Sequence, residues 1–256
     1  MRLSIVIPVY NERRTLAKVL AAASLALPAV DKEIIVVDDG SLDGTREWLM
    51  ANFPAGPRAG SAVAVDPDGN LSFEQLRDGP QVTINPIYHD RNSGKGASVR
   101  TGFGAASGDV FVIQDADLEY DPAEWTQMYD LIARRGVADA VYGSRFYGRP
   151  HRSLYFHHYI GNRLISLLFN VFYNQTLTDI ETGQKMMTAS VAKSLRLTAN
   201  DFGIEVEISA EIARQRTLRI YEMGIAYYGR SYAEGKKIGW RDGVKALWYV
   251  VKYRFR

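Results

Sequence analysis

The sequence predicts an α/β protein built on an open mixed sheet, mostly parallel, with helices on both faces. Three observations carry this. Short runs rich in Val and Ile recur along the first half of the chain. Segments with helical apolar spacing separate them, as in sheets covered on both faces. Four of the runs end in polar residues, the arrangement found where ligands meet the carboxyl ends of parallel strands.

In order, residues 3–7 (LSIVI) read as a buried strand. Residues 12–27 read as a helix with apolar positions Leu16, Val19, Leu20, Ala23 and Leu27, stopping at Pro28. Residues 33–37 give a second strand, 43–50 a helix starting near Asp43 or Thr45, 82–87 a third strand, 98–106 a helix and 109–113 a fourth strand. A helix over 122–134 and a strand over 139–142 continue the rhythm. Residues 53–80 interrupt it: 62–65 and 71–73 flank Asp66-Pro67-Asp68-Gly69-Asn70, which predicts an inserted β-hairpin. Residues 155–174 are apolar and aromatic, with Arg163 the one charge, and read either as a core helix or as a helix lying on a membrane. Gly161, Asn162, His157 and His158 argue against a spanning helix. Residues 218–228 read as one or two strands and 242–253 as a terminal helix.

At 256 residues the chain can bury a sizeable core, and 46% apolar with 23% charged residues is ordinary for a globular protein. The absence of cysteine excludes disulfides, zinc–thiolate sites and thiol nucleophiles, and is compatible with a reducing cytoplasm. The opening apolar stretch is short, holds Pro8 and runs into Asn11-Glu12, unlike a signal peptide. No apolar run reaches the roughly eighteen residues of a spanning helix. Net charge is +2, yet residues 230–256 carry eight Lys or Arg against two Asp or Glu, a local +6 that leaves −4 for the rest. With Trp240, Trp248, Tyr249, Tyr253 and Phe255, this tail suits phosphate groups or the anionic inner face of a membrane, or else a helix packed through its aromatics.

The strand ends supply the chemistry. The first leads to Pro8-Val9-Tyr10-Asn11-Glu12, the second to Asp38-Asp39-Gly40-Ser41, the third to His89 and Asn92-Ser93-Gly94-Lys95-Gly96, and the fourth to Gln114-Asp115-Ala116-Asp117-Leu118-Glu119. Each alone could be a turn; together they define one polar crevice. Asp115 and Asp117 are the sharpest pair. Two carboxylates on a loop leaving a strand suit a hard cation such as Mg²⁺ or Mn²⁺, which would neutralise a departing diphosphate, and Glu119 could add a third oxygen or cap the next helix. Asp39 suits a base or ribose, and the Asn92–Lys95 stretch offers backbone amides and a cation near a diphosphate. It lacks the spacing of a P-loop, and Gly102, Gly104 and Gly108 lack that of a dinucleotide fingerprint.

These residues resemble the family-2 glycosyltransferases of the GT-A fold. Further elements, Tyr142-Gly143-Ser144-Arg145-Phe146, residues 179–185 and Glu234-Gly235-Lys236-Lys237-Ile238, are similar to the polyprenyl-phosphate branch that includes the dolichyl-phosphate mannose synthases. The resemblance implies a catalytic domain over 1–230 with an insertion at 53–80, followed by a basic aromatic tail over 231–256. It implies a nucleotide-sugar site at Pro8, Tyr10, Asn11, Glu12, Asp39, Asn92, Lys95, Gln114, Asp115 and Asp117. It also implies a metal at Asp115, Asp117 and Glu119, where many relatives carry Gln in place of Glu119. Arg145, Lys185, Arg230 and Lys237 would hold the acceptor phosphate, making Asp117 and Arg145 the expected catalytic residues.

Processive relatives carry a Gln-x-x-Arg-Trp element and a Glu-Asp pair whose Asp acts as base, and neither follows residue 145. A hydroxyl acceptor needs a base and an ionised phosphate does not, so the expected reaction is inverting transfer from a GDP-mannose- or UDP-glucose-type donor to a polyprenyl phosphate. Transfer to a hydroxyl acceptor and a non-catalytic nucleotide-sugar-binding subunit are the alternatives; no nucleic-acid partner is expected.

Overall fold

The computed structural model describes residues 1–60, 62–66, 69–74, 79–153, 155–231, 234 and 239–256. Its elements run β1 (Leu3–Val9), α1 (Leu16–Leu25), β2 (Lys32–Asp38), α2 (Thr45–Asn52), β3 (Arg58–Gly60), β4 (Ala62–Val65), β5 (Leu71–Glu74), β6 (Val82–Tyr88), α3 (Lys95–Ala105) and β7 (Val110–Ile113). A 3₁₀ turn (Pro122–Glu124), α4 (Trp125–Tyr129) and a π turn (Asp130–Arg134) form one winding stretch. Then follow β8 (Ala140–Ser144), α5 (Phe156–Tyr173), β9 (Lys185–Thr188), α6 (Ala189–Ser194), α7 (Ile204–Arg214), β10 (Ile220–Gly224) and α8 (Trp240–Arg254).

Eight strands make one sheet in the order β10-β8-β9-β7-β1-β2-β6-β3. The pairs among β7, β1, β2 and β6 are parallel, as is β8 with β10. β9 runs antiparallel between β7 and β8, and β3 antiparallel at the β6 edge. The mixed, mostly parallel sheet is therefore as the sequence predicts. Alternation along the strands divides the core: Ile5, Ile7, Ile34, Val36, Val110 and Val112 pack with α1 and α4 on one face, and Val6, Ile35, Val37, Phe111 and Ile113 with α3, α5 and α7 on the other. β1 lies where successive strands turn from one side of the sheet to the other, which opens a crevice beyond the carboxyl ends of β1 and β7.

β4 and β5 pair as the predicted hairpin, although Pro67 and Asp68 of its turn lie outside the described residues. The hairpin packs beside α1 and α2 through Val63, Leu71 and a bond from Trp48 Nε1 to the Gly69 carbonyl.

Helix α1 starts at Leu16, later than the apolar spacing implies. Asn11 adopts a left-handed φ of 56°, and the Glu12 carbonyl accepts from both Thr15 and Leu16, so the preceding loop is reserved for the crevice. Helix α5 is apolar on two faces. Ile165, Phe169 and Tyr173 enter the core, while Ile160, Leu164, Leu167 and Val171 form an exposed stripe. Helix α8 repeats this: Ala246, Val250 and Tyr253 are buried, and Val244, Trp248, Val251 and Phe255 face outward. The two helices pack together, with Phe172 edge-on to Phe255 at a ring separation of 6.4 Å. Among the described residues no helix is long and apolar enough to cross a membrane.

Candidate active site

The loops after β1, β2, β6 and β7 meet in the crevice and are stitched to one another. Asn11 accepts from the Leu42 amide at 2.8 Å and donates its own amide to Ser41 Oγ at 2.9 Å, joining the first loop to the second. Asp39 is the hub of the third. Its carboxylate accepts from the Ser93 amide at 2.9 Å and the Gly94 amide at 2.7 Å, and faces His89 Nδ1 at 2.8 Å. Gly40, at φ 75°, lies so close to Arg91 and Asn92 that a Cβ would strike their backbone. Gln114 is buried, and its Nε2 donates to the carbonyls of Asp115 and Tyr120, bracing the acidic turn between them.

Two cations flank that turn. Lys95, the first residue of α3, lies 2.7 Å from Asp115 Oδ1 and 2.9 Å from Glu205 Oε1 on α7. Burial works against its charge, but the two carboxylates outweigh that and hold Lys95 above the usual lysine range. Glu205 also receives Lys185 at 2.7 Å, and the lysines keep it below the usual carboxylate range despite its burial. Arg230, beyond β10, places Nη2 2.9 Å from Asp117 Oδ2 and 3.4 Å from Glu12 Oε1, with Nε 3.4 Å from Glu119 Oε1. Glu119 is further engaged by the Tyr227 hydroxyl and the Arg230 amide, each at 2.7 Å. Burial, reinforced by Asp115 and Glu119, pushes the Asp117 carboxyl up to about 7, with Arg230 opposing the shift.

A cavity of about 1090 Å³ extends from these groups to α5 and α8. Tyr10, Glu12, Asp39 and Asp117 line one end; Gly161, Leu164, Val244 and Leu247 line the other. Arg145, Tyr120, Tyr227 and Glu181 line the same cavity. Arg145 forks onto Asp179, with Nε and Nη2 each 2.7 Å from a carboxylate oxygen, and lies over the Tyr227 ring at 5.4 Å. Burial pushes Glu181 up to about 7; Arg145 opposes this and Asp179 adds to it.

The oxygens of Asp115, Asp117 and Glu119 are the hard donors that Mg²⁺ or Mn²⁺ takes. Burial, with the neighbouring carboxylates adding to it, raises the Asp117 pKa, and a divalent cation would offset both, so the donor chemistry fits one. Among the described residues, however, no three such side chains are arranged to hold a metal as they stand. Lys95 and Arg230 occupy their oxygens instead.

Of the residues expected at the site, Pro8, Tyr10, Glu12, Asp39, Asn92, Lys95, Asp115, Asp117, Glu119, Arg145 and Arg230 line the cavity. Asn11 and Gln114 lie behind it as braces. Lys185 is 1% exposed and sits beneath the cavity, bonded to Glu205 and the Thr182 carbonyl. Lys237 lies outside the described residues. Sequence reasoning did not single out Glu205, Tyr227, Tyr120 or Glu181. Glu181 stands within the 179–185 element that drew attention as a whole, and it supplies a cavity carboxyl where no base was expected.

The profile described as "Glycosyl transferase family 2" matches residues 4–59 and 74–196. The chain is 27% identical over 247 residues to the low-salt glycan biosynthesis hexosyltransferase Agl6 of Haloferax volcanii, covering 93% of this chain and 51% of that one. It is 26% identical over 242 residues to the dolichol-phosphate mannosyltransferase of Pyrococcus furiosus, covering 93% and 61%. An undecaprenyl-phosphate mannosyltransferase of Micrococcus luteus is 27% identical over 249 residues, with 93% and 88% covered. The chain thus spans about half to three-fifths of the first two relatives. Its fold matches glucosyl-3-phosphoglycerate synthase of Mycobacterium tuberculosis, solved with Mn²⁺, UDP and phosphoglyceric acid, at a TM-score of 0.67 and 16% identity over 99% of this chain and 78% of that one. With the profile covering most of its length, the chain belongs to glycosyl transferase family 2.

Proposed function

We propose that this glycosyltransferase moves a sugar from a nucleotide-diphosphate sugar, of the GDP-mannose or UDP-glucose type, to a polyprenyl phosphate at a membrane surface, by a single inverting displacement. One observation carries the reading: the same cavity holds the strand-end carboxylates and the apolar walls of α5 and α8. The names of the Pyrococcus and Micrococcus relatives support the acceptor class, and the UDP and Mn²⁺ bound by the structural neighbour support the donor and the ion.

In this reading Tyr10, Glu12 and Asp39 receive the nucleotide. Asp115, Asp117 and Glu119 would hold Mg²⁺ or Mn²⁺, which would supply positive charge to the departing diphosphate. Lys95 keeps Asp115 oriented from the α3 side. Arg145, its Nε and Nη2 fixed by Asp179, lines the cavity and would receive the acceptor phosphate. That phosphate is ionised at neutral pH and attacks without a base. The exposed stripes of α5 and α8, with Lys245, Lys252 and Arg254 beside them, would lie on an anionic bilayer at the inner membrane face and bring the lipid to the cavity mouth.

Glu181 favours a second reading, in which a hydroxyl acceptor gives its proton to this carboxylate. The test is product analysis with one radiolabelled donor at a time, offering undecaprenyl phosphate in vesicles beside phosphoglycerate. Labelled lipid formed by the wild type and lost in Asp117→Ala supports the first reading. Labelled soluble product, abolished by Glu181→Gln, establishes the second. Full turnover by Asp117→Ala would overturn both.

A further inference from the structure

The two arginines of the cavity hold their carboxylates in different ways. Arg145 forks onto one partner, with two bonds of 2.7 Å to Asp179. Arg230 makes no close fork: its Nη1 and Nη2 straddle the Glu12 carboxylate only at 3.4–3.5 Å. Its guanidinium makes one close contact, 2.9 Å to Asp117, and is shared at 3.4–3.5 Å with Glu12 and Glu119. It sits among three carboxylates as a cation would, and its side chain keeps 21% exposure, so a path to solvent is open.

The backbone that carries it is attached to the same turn. The Tyr228 amide donates to the Glu119 carbonyl at 2.9 Å, the Arg230 amide to Glu119 Oε1 at 2.7 Å, and the Tyr227 hydroxyl to Glu119 Oε2 at 2.7 Å. Glu119 therefore serves both the acidic cluster and the segment that closes over it. Any divalent ion drawing on Glu119 and Asp117 must compete with these bonds.

We infer that Arg230 is an internal cation that fills the carboxylate cluster of the free enzyme and is expelled, together with its segment, when a divalent ion binds. The inference rests on the reading of Asp115, Asp117 and Glu119 as cation ligands. It adds that the metal site is assembled by exchanging one cation for another. Arg230 holds the Asp117 and Glu119 oxygens that a divalent ion would draw on, so each state excludes the other. The expelled guanidinium then lies at the cavity mouth, free to meet a phosphate. Apparent metal affinity in the free enzyme is the intrinsic affinity multiplied by the fraction of molecules in which Arg230 is out of the site.

The experiment is a Mn²⁺ titration of the full chain followed by electron paramagnetic resonance, together with amide hydrogen exchange over 225–231 with and without Mn²⁺. Wild type, wild type with UDP and Arg230→Gln are compared, with circular dichroism as the folding check. Expected are a Kd at least about fivefold lower for Arg230→Gln than for the wild type without nucleotide, and faster exchange at Tyr228 and Arg230 in the wild type on adding Mn²⁺. An unchanged or weaker affinity in a folded Arg230→Gln overturns the inference. So does tighter binding with no change in wild-type exchange, because Arg230 would then act through charge alone while staying in place. If Arg230→Gln does not fold, wild-type exchange decides. Mn²⁺ binding by the wild type with UDP tests the cation-site reading separately, and its absence removes both.

Discussion

Arg145 and Asp179 form a two-pronged ion pair in which Asp179 is fully buried and Arg145 is 14% exposed. Burial opposes the arginine's charge, and the carboxylate overcomes it, holding Arg145 well above its ordinary value. Removing one partner strands the other. Asp179→Ala should therefore destabilise the fold by about 3–5 kcal/mol, read as a fall in the urea midpoint at constant slope. The double variant Arg145→Met/Asp179→Leu should recover much of that loss while remaining inactive toward a phosphate acceptor. A cost for Asp179→Ala below about 1 kcal/mol would show that the guanidinium finds other partners.

Lys95 links two elements that the chain order keeps far apart, Asp115 beyond β7 and Glu205 on α7. Because one ammonium serves both, the effects of Lys95→Met and Glu205→Gln should not add. A double-mutant cycle on thermal stability is expected to give a coupling of about 0.5–3 kcal/mol. In Lys95→Met, Asp115 loses its orienting partner, so the melting-temperature rise produced by UDP with Mn²⁺ should shrink. An undiminished rise would place Lys95 outside the donor site.

Glu181 makes stability depend on pH in a direction that can be worked out. It ionises near 4.5 when exposed in the unfolded chain, but burial delays this to about 7 in the folded one. Between those values the folded chain binds more protons than the unfolded one. Stability therefore falls as pH rises from about 4.5 to about 7 and levels off above. Glu181→Gln should be nearly neutral at pH 5 and stabilising by roughly 1–3 kcal/mol at pH 8. Equal effects at both values would mean that Glu181 is not held protonated. The same variant separates the acceptor classes: transfer to a phosphate should survive it, and transfer to a hydroxyl should not.

Most of the crevice was legible because parallel strands buried on both faces must be continuous Val/Ile runs, and their ends must be where polar residues resume. The missed helix α7 shows the limit. Ile204-Glu205-Val206-Glu207-Ile208 alternates like a strand, yet the segment is a helix buried on nearly every side. Its acids are satisfied by Lys95, Lys185, the Thr198 and Ala199 amides and Arg256 rather than by water. Helical spacing is present in Ile204, Ile208 and Ile212, but the alternating acids at its start mask it as a strand, and those acids are buried with partners instead of facing water. Lys185 lies beneath the cavity and not in its lining because β9 pairs between β7 and β8, a placement that no local pattern in the sequence announces. The contacts of Tyr227 and Arg230 with Glu119 cross 108 and 111 residues of chain, and no local pattern announces them.

The exposed stripes of α5 and α8 allow the proposed docking on lipid to be tested separately from folding. Leu167 is 59% exposed and Trp248 57%. Replacing them by charged residues therefore removes apolar surface from the face without opening the core, whereas Val250, fully buried on the inner side of α8, is part of the core. Leu167→Glu/Trp248→Glu should keep the wild-type melting temperature within about 2 °C and lose at least about tenfold in binding to vesicles rich in anionic phospholipid, since each side chain forgoes burial worth about 1.5–3 kcal/mol. Raising salt should weaken the wild type as well, through Lys245, Lys252 and Arg254. Val250→Asp should instead unfold the protein. If the double variant sediments with vesicles as well as the wild type does, the α5–α8 face is not the docking surface, and a lipid acceptor would have to reach the cavity by another route.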